Sequence, residues 1–294
     1  MGPESTPEAV TPALLRGWPL SEPGVGKEAR GNLLVLGGSG STPGAPLLAG
    51  VAALRAGAGK LAVATAGSVA AALAVAVPEA MVIGLPEDDR GAIDPGSADR
   101  VQARAESADA VLAGPGLQDA ESASALLSAV LPRMRPPVVL DALGTAYLTE
   151  HPDGLRHLDG RAVVTANPRE LAHLAGREEC ASRDEQLAAA LGVAATCRVV
   201  VVVGAEDKLV VDPDGRSWVV EGGSPGLGVS GSGDVQAGIV AGLLARGEEP
   251  AQAAVWGAYL HARAGERLAG TIGRVGYLAR EIADVVPAVL GELA

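Results

Sequence analysis

The sequence predicts an α/β fold in which helices cover both faces of a mostly parallel central sheet. Short apolar runs of strand length alternate with longer helical patterns along nearly the whole chain, which is typical of parallel sheets with crossover helices. The runs are continuously apolar, as in residues 199–203, and this favours strands that are buried on both faces. Glycine, asparagine or aspartate follows several of these runs, so turn residues gather at the carboxyl ends of the strands, where such sheets bind ligands.

The strands and helices follow in order from these patterns. The predicted strands are 33–36, 61–65, 81–84, 110–113, 138–140, 162–165 and 199–203. The predicted helices are 46–56, 68–77, 94–106, 120–131, 169–175, 184–196, 250–269 and 278–293. Residues 208–211 and 217–220, joined by Pro213-Asp214-Gly215, predict a late antiparallel hairpin.

The stretch at 226–246, GLGVSGSGDVQAGIVAGLLAR, begins as a glycine-rich turn and continues with helical spacing. Gly231, Ser232 and Gly233 precede the apolar run, where the first backbone N–H groups of a helix lack internal partners. Such a position favours a phosphate group. Asp234 places a carboxylate there; it either caps the helix or takes a proton from a hydroxyl as a phosphoryl group arrives.

Composition limits the function further. The chain has 294 residues, no phenylalanine and a formal net charge of −12, so we expect a core of small side chains and no general role in nucleic-acid binding. Cys180 and Cys197 lack metal-site or redox spacing. No signal peptide is visible, and Gly67-Ser68 interrupts the uncharged stretch 61–77. We expect a cytoplasmic protein without a membrane span, with an irregular or flexible segment at 1–30 and a single domain at 31–294.

Six motifs, five of which contain glycine, carry a resemblance to a known family. In order they are LLVLGGSGSTPGAPLLAGVAALRAGAGK, VLAGPGL, VVLDALGT, VVTANPRE, VVVGAEDKLVVDPDG and GSGDVQAGIVAGLLARG, followed by YLHARAGERLA. One glycine-rich turn alone is a weak signal. Together, over roughly residues 27–268, they resemble the ribokinase-like superfamily and, within it, the ADP- or ATP-dependent NAD(P)H-hydrate dehydratases.

This resemblance implies a three-layer α/β/α sandwich and an enzyme that repairs hydrated NADH or NADPH. ADP or ATP phosphorylates the hydroxyl of the hydrate, and elimination then restores the reduced cofactor. The family also implies Mg²⁺, a homo-oligomer such as a tetramer, and here a stand-alone enzyme without a fused epimerase domain. Asp234 matches the catalytic aspartate, and the N–H groups of Gly231, Ser232 and Gly233 would stabilise the transferring phosphoryl group.

The remaining site residues are carried over by position. The nucleotide-binding candidates are Val203, Gly204, Ala205, Glu206, Asp207 and Gly233. The substrate-binding candidates are Ala45, Gly116, Asn167 and Asp234. Each glycine among them is equally consistent with an ordinary tight turn. His261, in the YLHARAG motif, is expected to pack near the nucleotide loop rather than to take part in catalysis.

Two positions depart from the family pattern. Asn167 stands where histidine is usual, and Val203 stands where lysine usually precedes the Gly-Ala of the nucleotide turn. Loss of a cation at a phosphate site should weaken nucleotide binding or slow transfer. Lys208 is close enough in sequence to be considered as a substitute, although it falls in a predicted strand.

The same region leaves alternatives open. Asn167-x-x-Glu170 matches the pattern through which ribokinase-like kinases organise Mg²⁺, largely through water, but Glu170 is also well placed to cap a helix. Asp141 either assists the metal or caps a turn. Besides the dehydratase, the sequence is compatible with a kinase acting on a sugar or vitamin-type alcohol, and with a nucleotide-binding homologue that has lost activity.

Overall fold

A computed structural model describes residues 6–22 and 24–293, and within them ten strands form one sheet. The strands are β1 Glu8–Ala9, β2 Asn32–Leu36, β3 Lys60–Ala66, β4 Ala80–Leu85, β5 Ala110–Ala113, β6 Val138–Asp141, β7 Ala162–Ala166, β8 Val200–Val203, β9 Lys208–Val211 and β10 Ser217–Val220. Their order is β1-β10-β9-β8-β7-β6-β5-β2-β3-β4. From β2 the sheet extends to one side through β3 and β4, and β5 then pairs on the other side of β2. The strand order thus reverses between β2 and β5, and sheets of this kind have a crevice at such a point.

Only β9 runs against its neighbours in the described sheet. It pairs antiparallel with β8, where Val202 faces Val210, and antiparallel with β10, where Val219 faces Leu209. The other pairs are parallel. The predicted mixed sheet with a late hairpin is therefore confirmed. Since β9 is reversed, its first residue lies at the edge where the parallel strands end.

Helices cover both faces of this sheet. They are α1 Pro12–Gly17, α2 Gly44–Arg55, α3 Gly67–Ala76, α4 Ala98–Ala105, α5 Ala120–Val130, α6 Ala146–Glu150, α7 Pro168–Leu174, α8 Arg183–Cys197, α9 Ser232–Ala245, α10 Pro250–Thr271 and α11 Ala279–Gly291. Alternate strand residues feed two cores: Leu33 packs with α2 and α9 to α11, whereas Leu34 packs with α4 to α8. This confirms the three-layer sandwich. No helix of the described residues is both long enough and apolar enough to span a membrane.

The N-terminal segment differs from the expectation of an irregular or flexible stretch. Residues 1–5 and 23 of that stretch lie outside the described residues, but β1 pairs with β10 and α1 buries Leu15 completely. The Trp18 carbonyl oxygen accepts hydrogen bonds from Trp256 Nε1 (2.9 Å) and Gln252 Nε2 (3.2 Å). All these contacts reach across more than 200 residues of sequence, so local periodicity could not reveal them.

Small residues allow α2 and α9 to pack at backbone contact. A Cβ atom added to Gly238 would lie 2.1 Å from the Ala49 carbonyl oxygen, and one added to Gly242 would lie 2.6 Å from the Ala53 carbonyl oxygen. Because both contacts advance by one turn in the same direction, the two helices run parallel with their N-termini side by side. The core without phenylalanine is thus built from close helix approach, as composition predicts.

Candidate active site

A cavity of about 1040 Å³ opens at the carboxyl ends of β6, β7 and β8, beside the start of α9. Its wall is formed by the ends of these strands, the loop into β9, the loop before α9, and single residues from α7, α10 and the α10–α11 loop. The lining residues that bear on the chemistry are Asp141, Thr165, Asn167, Glu170, Gly204, Ala205, Glu206, Asp207, Lys208, Gly231, Ser232, Gly233, Asp234, Gln236, His261 and Arg274. Most of the predicted site residues therefore lie around one cavity.

The start of α9 supplies backbone donors to this cavity. Gly231 is the N-cap residue with a φ of 89°, a left-handed conformation that favours glycine, and a Cβ atom there would lie 2.5 Å from Leu48 Cδ1. The N–H groups of Gly231 and Gly233 donate to no acceptor among the described residues. The N–H of Ser232 departs from the prediction, because the preceding turn directs it to the Val229 carbonyl oxygen at 3.2 Å. Two of the three predicted amides thus remain available to a ligand.

Three carboxylates, those of Asp141, Glu170 and Asp234, line the same cavity as this amide pair. Burial, with the nearby charge of Glu170, raises the pKa of Asp234 to about 6. Burial raises the pKa of Asp141 to about 7, and the charges of Asp234 and Glu170 raise it further. The hydrogen bond that Thr165 Oγ1 donates to Asp141 Oδ1 (2.6 Å) acts in the opposite direction and lowers this pKa. Burial also raises the pKa of Glu170. Asp234 can therefore exchange a proton near neutral pH, as a general base must.

Asn167 and Glu170 form a capping box at the start of α7. Asn167 Oδ1 accepts from the N–H groups of Arg169 (2.9 Å) and Glu170 (3.0 Å), and Glu170 Oε2 accepts from the N–H of Asn167 (2.9 Å). The capping alternative for Glu170 is thus realised. Within residues 6–22 and 24–293 there is no group of three acidic, histidine or cysteine side chains placed to hold a metal ion. Any cation here would need oxygen ligands from water or from a bound phosphate.

The predicted nucleotide turn lines the cavity from Gly204 to Asp207, but Val203 does not. Val203 is completely buried and packs in the core beneath α8, because alternate residues of β8 face opposite sides of the sheet. Val202 lines the cavity instead. The backbone of Val203 leads into the turn, whereas its side chain adds nothing to the surface that a nucleotide would touch.

Ala45 and Gly116 lie together but outside the cavity lining. Ala45 is the second residue of α2, which follows β2, and Gly116 lies in the loop after β5; a Cβ atom added to Gly116 would lie 2.9 Å from Ala45 Cβ. This is the point at which the strand order reverses. Leu48, one turn beyond Ala45 on α2, touches the position of Gly231, so the two groups of predicted residues are neighbours across the starts of α2 and α9.

Sequence reasoning gave little weight to three cavity residues. His261 Nε2 lies 3.0 Å from both the carbonyl oxygen and Oγ of Ser232, so it ties α10 to the start of α9; burial holds its pKa well below the usual value. Gln236 is a polar residue in an otherwise apolar helical face, and its buried Nε2 donates to no described group. Lys208 is a lysine inside a buried strand. For Gln236 and Lys208, the sequence signal was a polar side chain within an apolar run.

Comparison with known proteins shows the family of this chain. The family model described as NAD(P)H-hydrate dehydratase matches residues 33–288. An ADP-dependent (S)-NAD(P)H-hydrate dehydratase from Xanthomonas campestris pv. campestris is 45% identical over 97% of this chain and 96% of its own. An enzyme of the same name from Bacillus subtilis is 30% identical over 90% of each chain. The crystal structure of the Bacillus subtilis ADP/ATP-dependent NAD(P)H-hydrate dehydratase, co-crystallised with ATP/Mg²⁺, aligns with a TM-score of 0.81 at 26% identity and covers 99% of this chain and 100% of its own.

Proposed function

This chain belongs to the NAD(P)H-hydrate dehydratase family, and we propose that it uses ADP or ATP to dehydrate hydrated NADH or NADPH. The observation that carries this proposal is the position of Asp234. Its carboxylate has a pKa raised to about 6 and stands in a cavity beside two unpaired amides at a helix start. A base and an anion-stabilising pair side by side are what phosphoryl transfer to a hydroxyl requires.

The proposed reaction has two stages. Asp234 accepts the proton of the hydrate hydroxyl. At the same time the hydroxyl oxygen forms a bond to the terminal phosphorus of the nucleotide, and the bond from that phosphorus to the departing, shortened nucleotide breaks. The amides of Gly231 and Gly233 stabilise the charge on the transferring group. The C–O bond of the phosphorylated hydrate then breaks, the adjacent carbon loses a proton, and the reduced nicotinamide ring is restored. With ADP as donor the other products are AMP and phosphate.

The two substrates would approach Asp234 from different sides. The turn from Gly204 to Asp207 forms the cavity wall expected for the nucleotide. Ala45 and Gly116, at the strand-order reversal, are the proposed contacts of the hydrate. Since α2 and α9 start side by side, Asp234 would stand between the hydroxyl and the phosphate, which supports direct transfer.

We propose that Mg²⁺ enters with the nucleotide. Asp141, Glu170 and Asp234 concentrate negative charge beside an anion site, which would attract a divalent cation held through water and phosphate oxygens rather than by the three side chains directly. Glu170, whose Oε1 is outside the capping box, and Asn167 would hold its water ligands. Such a cation supplies charge neutralisation to the phosphates. Titration with EDTA should abolish turnover, and added Mg²⁺ should restore it; turnover that persists in EDTA would exclude the metal.

Turnover of hydrated NADH tests the proposal directly. The protein is incubated with ADP or ATP, Mg²⁺ and hydrated NADH, and the absorbance of reduced nicotinamide is followed together with nucleotide consumption. We expect one nucleotide consumed for each NADH restored. Accumulation of a phosphorylated product without recovery of absorbance would favour the kinase alternative, and nucleotide binding without turnover would favour an inactive homologue.

A matched pair of variants assigns the role of Asp234. Asp234→Asn keeps the shape of the side chain but cannot accept the proton, so kcat should fall roughly 10²–10⁴-fold. Asp89→Asn makes the same change at an exposed residue far along the chain and should leave kcat unchanged. Wild-type activity in Asp234→Asn would refute the proposed base.

We further propose that copies of the chain associate and act in the cytoplasm. The helix α3 leaves Val75 83% exposed, and the neighbouring edge strand β4 leaves Met81 59% exposed, so an apolar surface lies at the end of the sheet. A second copy would cover it. Cys180 and Cys197 are buried free thiols, consistent with a reducing compartment. Light scattering should show an oligomer that Val75→Glu dissociates; a monomer at all concentrations would contradict this.

A further inference from the structure

Lys208 brings a buried ammonium group to the cavity. It is the first residue of β9, and because β9 runs antiparallel to β8, this position lies where the parallel strands end. Its residue is only 3% exposed, yet it contributes to the cavity wall. Along β9 it shares a face with Val210, which packs in the core beneath α9 and α10. The reversal of one strand is thus what directs a lysine into the site.

No described residue neutralises this ammonium group. It forms no ion pair or hydrogen bond with another residue in the ranges 6–22 and 24–293, and the adjacent Asp207 is paired with Arg183 at 3.4 Å. His261 faces the same region and is held neutral. Burial lowers the pKa of Lys208 to about 8, with Asp207 opposing the shift, so the group is still charged at neutral pH. A buried charge without a partner is costly, and it indicates an anionic ligand from outside.

Gln236 adds a second unpaired donor to the same cavity. The residue is 5% exposed, its Nε2 makes no hydrogen bond, and its Oε1 lies 3.5 Å from where a Cβ atom of Gly204 would be. It therefore adjoins the turn that leads towards Lys208. The other cationic side chain of the lining, Arg274, is on an exposed loop, so Lys208 is the fixed positive charge in this cavity.

We propose that Lys208 Nζ and Gln236 Nε2 bind the phosphate oxygens of the nucleotide. The proposal rests on the function above and adds the residues that recognise the polyphosphate. The two donors offset the repulsion that the carboxylates of Asp141, Glu170 and Asp234 would otherwise exert on the phosphates of the nucleoside diphosphate or triphosphate. The side chain of Val203 is uncharged and does not line the cavity. Lys208, on the next strand, provides the positive charge at the cavity wall instead.

Nucleotide affinity without the hydrate substrate tests this proposal. Calorimetry should give a Kd for ADP that rises roughly 10- to 100-fold in Lys208→Met and roughly 2- to 10-fold in Gln236→Leu, because a hydrogen bond from a charged donor is worth more than one from a neutral donor. The Kd for adenosine, which has no phosphate, should not change. Lys60→Met, at a half-buried lysine paired with Glu28, is the matched control and should bind ADP as the wild type does.

Thermal unfolding separates ligand binding from a structural role. Lys208→Met removes an unpaired buried charge, so the nucleotide-free variant should have a higher Tm than the wild type while gaining less Tm from added ADP. A lysine that held the fold together would show a lower Tm. Equal ADP affinity in Lys208→Met and wild type, or an equal loss of adenosine affinity, would overturn the proposal. Failure of the wild type to bind either ADP or ATP would instead refute the proposed function.

Chemical labelling gives the same answer without a variant. The chain has only the lysines Lys27, Lys60 and Lys208, so an amine-acylating reagent and mass spectrometry resolve each one. ADP should slow acylation of Lys208 several-fold more than adenosine does and should leave Lys60 unaffected. Unchanged labelling of Lys208 at saturating ADP would overturn the proposal.

Discussion

The raised pKa of Asp234 predicts that the catalytic carboxylate destabilises the protein. The native state binds the proton of this group more tightly than the unfolded chain does, since the pKa is about 6 in the fold against a usual value of 3.8. Ionisation therefore costs stability as the pH rises through this interval, and the full cost is present above it. A shift of roughly two units corresponds to about 3 kcal/mol. Asp234→Asn should recover this free energy, because the Asp234 side chain makes no hydrogen bond in the described structure.

Urea unfolding of the nucleotide-free protein at several pH values measures the effect. From the two pKa values, Asp234→Asn should be more stable than wild type by about 3 kcal/mol at pH 8, about 1.6 kcal/mol at pH 5 and about 0.6 kcal/mol at pH 4. For a chain of this length the difference at pH 8 corresponds to a rise in Tm of about 5 °C. The gain in stability should accompany the loss of kcat predicted above for this variant.

A matched substitution controls for net charge. Asp89→Asn removes the same charge from an exposed site, so its stability should follow the wild type at every pH. If Asp234→Asn were no more stable than wild type at pH 8, or if the difference did not change between pH 4 and pH 8, the carboxylate would not be desolvated as the cavity implies.

Three further results follow from the site and the N-terminal contacts. The acid limb of kcat/KM should fall as Asp234 is protonated, with a midpoint near pH 6, and Asp89→Asn should leave this midpoint unchanged. Gly231→Ala should lower both stability and activity because its φ of 89° is strained for alanine and Leu48 blocks the methyl group, whereas Gly233→Ala meets nothing within 4 Å and should weaken ADP binding at unchanged Tm. Glu248→Ala removes the buried acceptor of the Ser21 N–H (3.0 Å) and should lower the free energy of unfolding by about 1–3 kcal/mol in urea titrations.

These results can each contradict the reasoning. An acid limb that stays in place when Asp234 is changed to a residue with another pKa would assign the titration to a different group. Equal stability losses at the two glycines would mean that the space next to Gly233 is filled. A Glu248→Ala protein as stable as wild type would show that the hydrogen bond between Ser21 and Glu248 does not stabilise the fold.

Sequence patterns predict this sheet well because its strands are fully buried. Continuous valine and leucine runs followed by glycine breaks mark the strand ends, and Gly231, Ser232 and Gly233 before an apolar helical run predict a phosphate site at the start of α9. Periodicity could not place β1 and α1, whose contacts are with β10 and α10 at the far end of the chain. It also could not decide which alternate residue of β8 faces the cavity, nor that Lys208 enters it, since both depend on how β9 pairs.

The glycine and alanine contact between α2 and α9 has a consequence for how the reaction could be tuned at a distance. Gly238 and Ala49 stand one turn after Asp234 and Ala45, respectively, so the spacing of the two helices sets the gap across which a hydroxyl must meet its donor. A methyl group added at Gly238 would push the two helices apart and widen that gap without touching any ligand. Displacing the reacting atoms by about an ångström can slow phosphoryl transfer roughly 100-fold. Residues that never contact the substrate therefore keep the hydroxyl and the phosphorus within reacting distance.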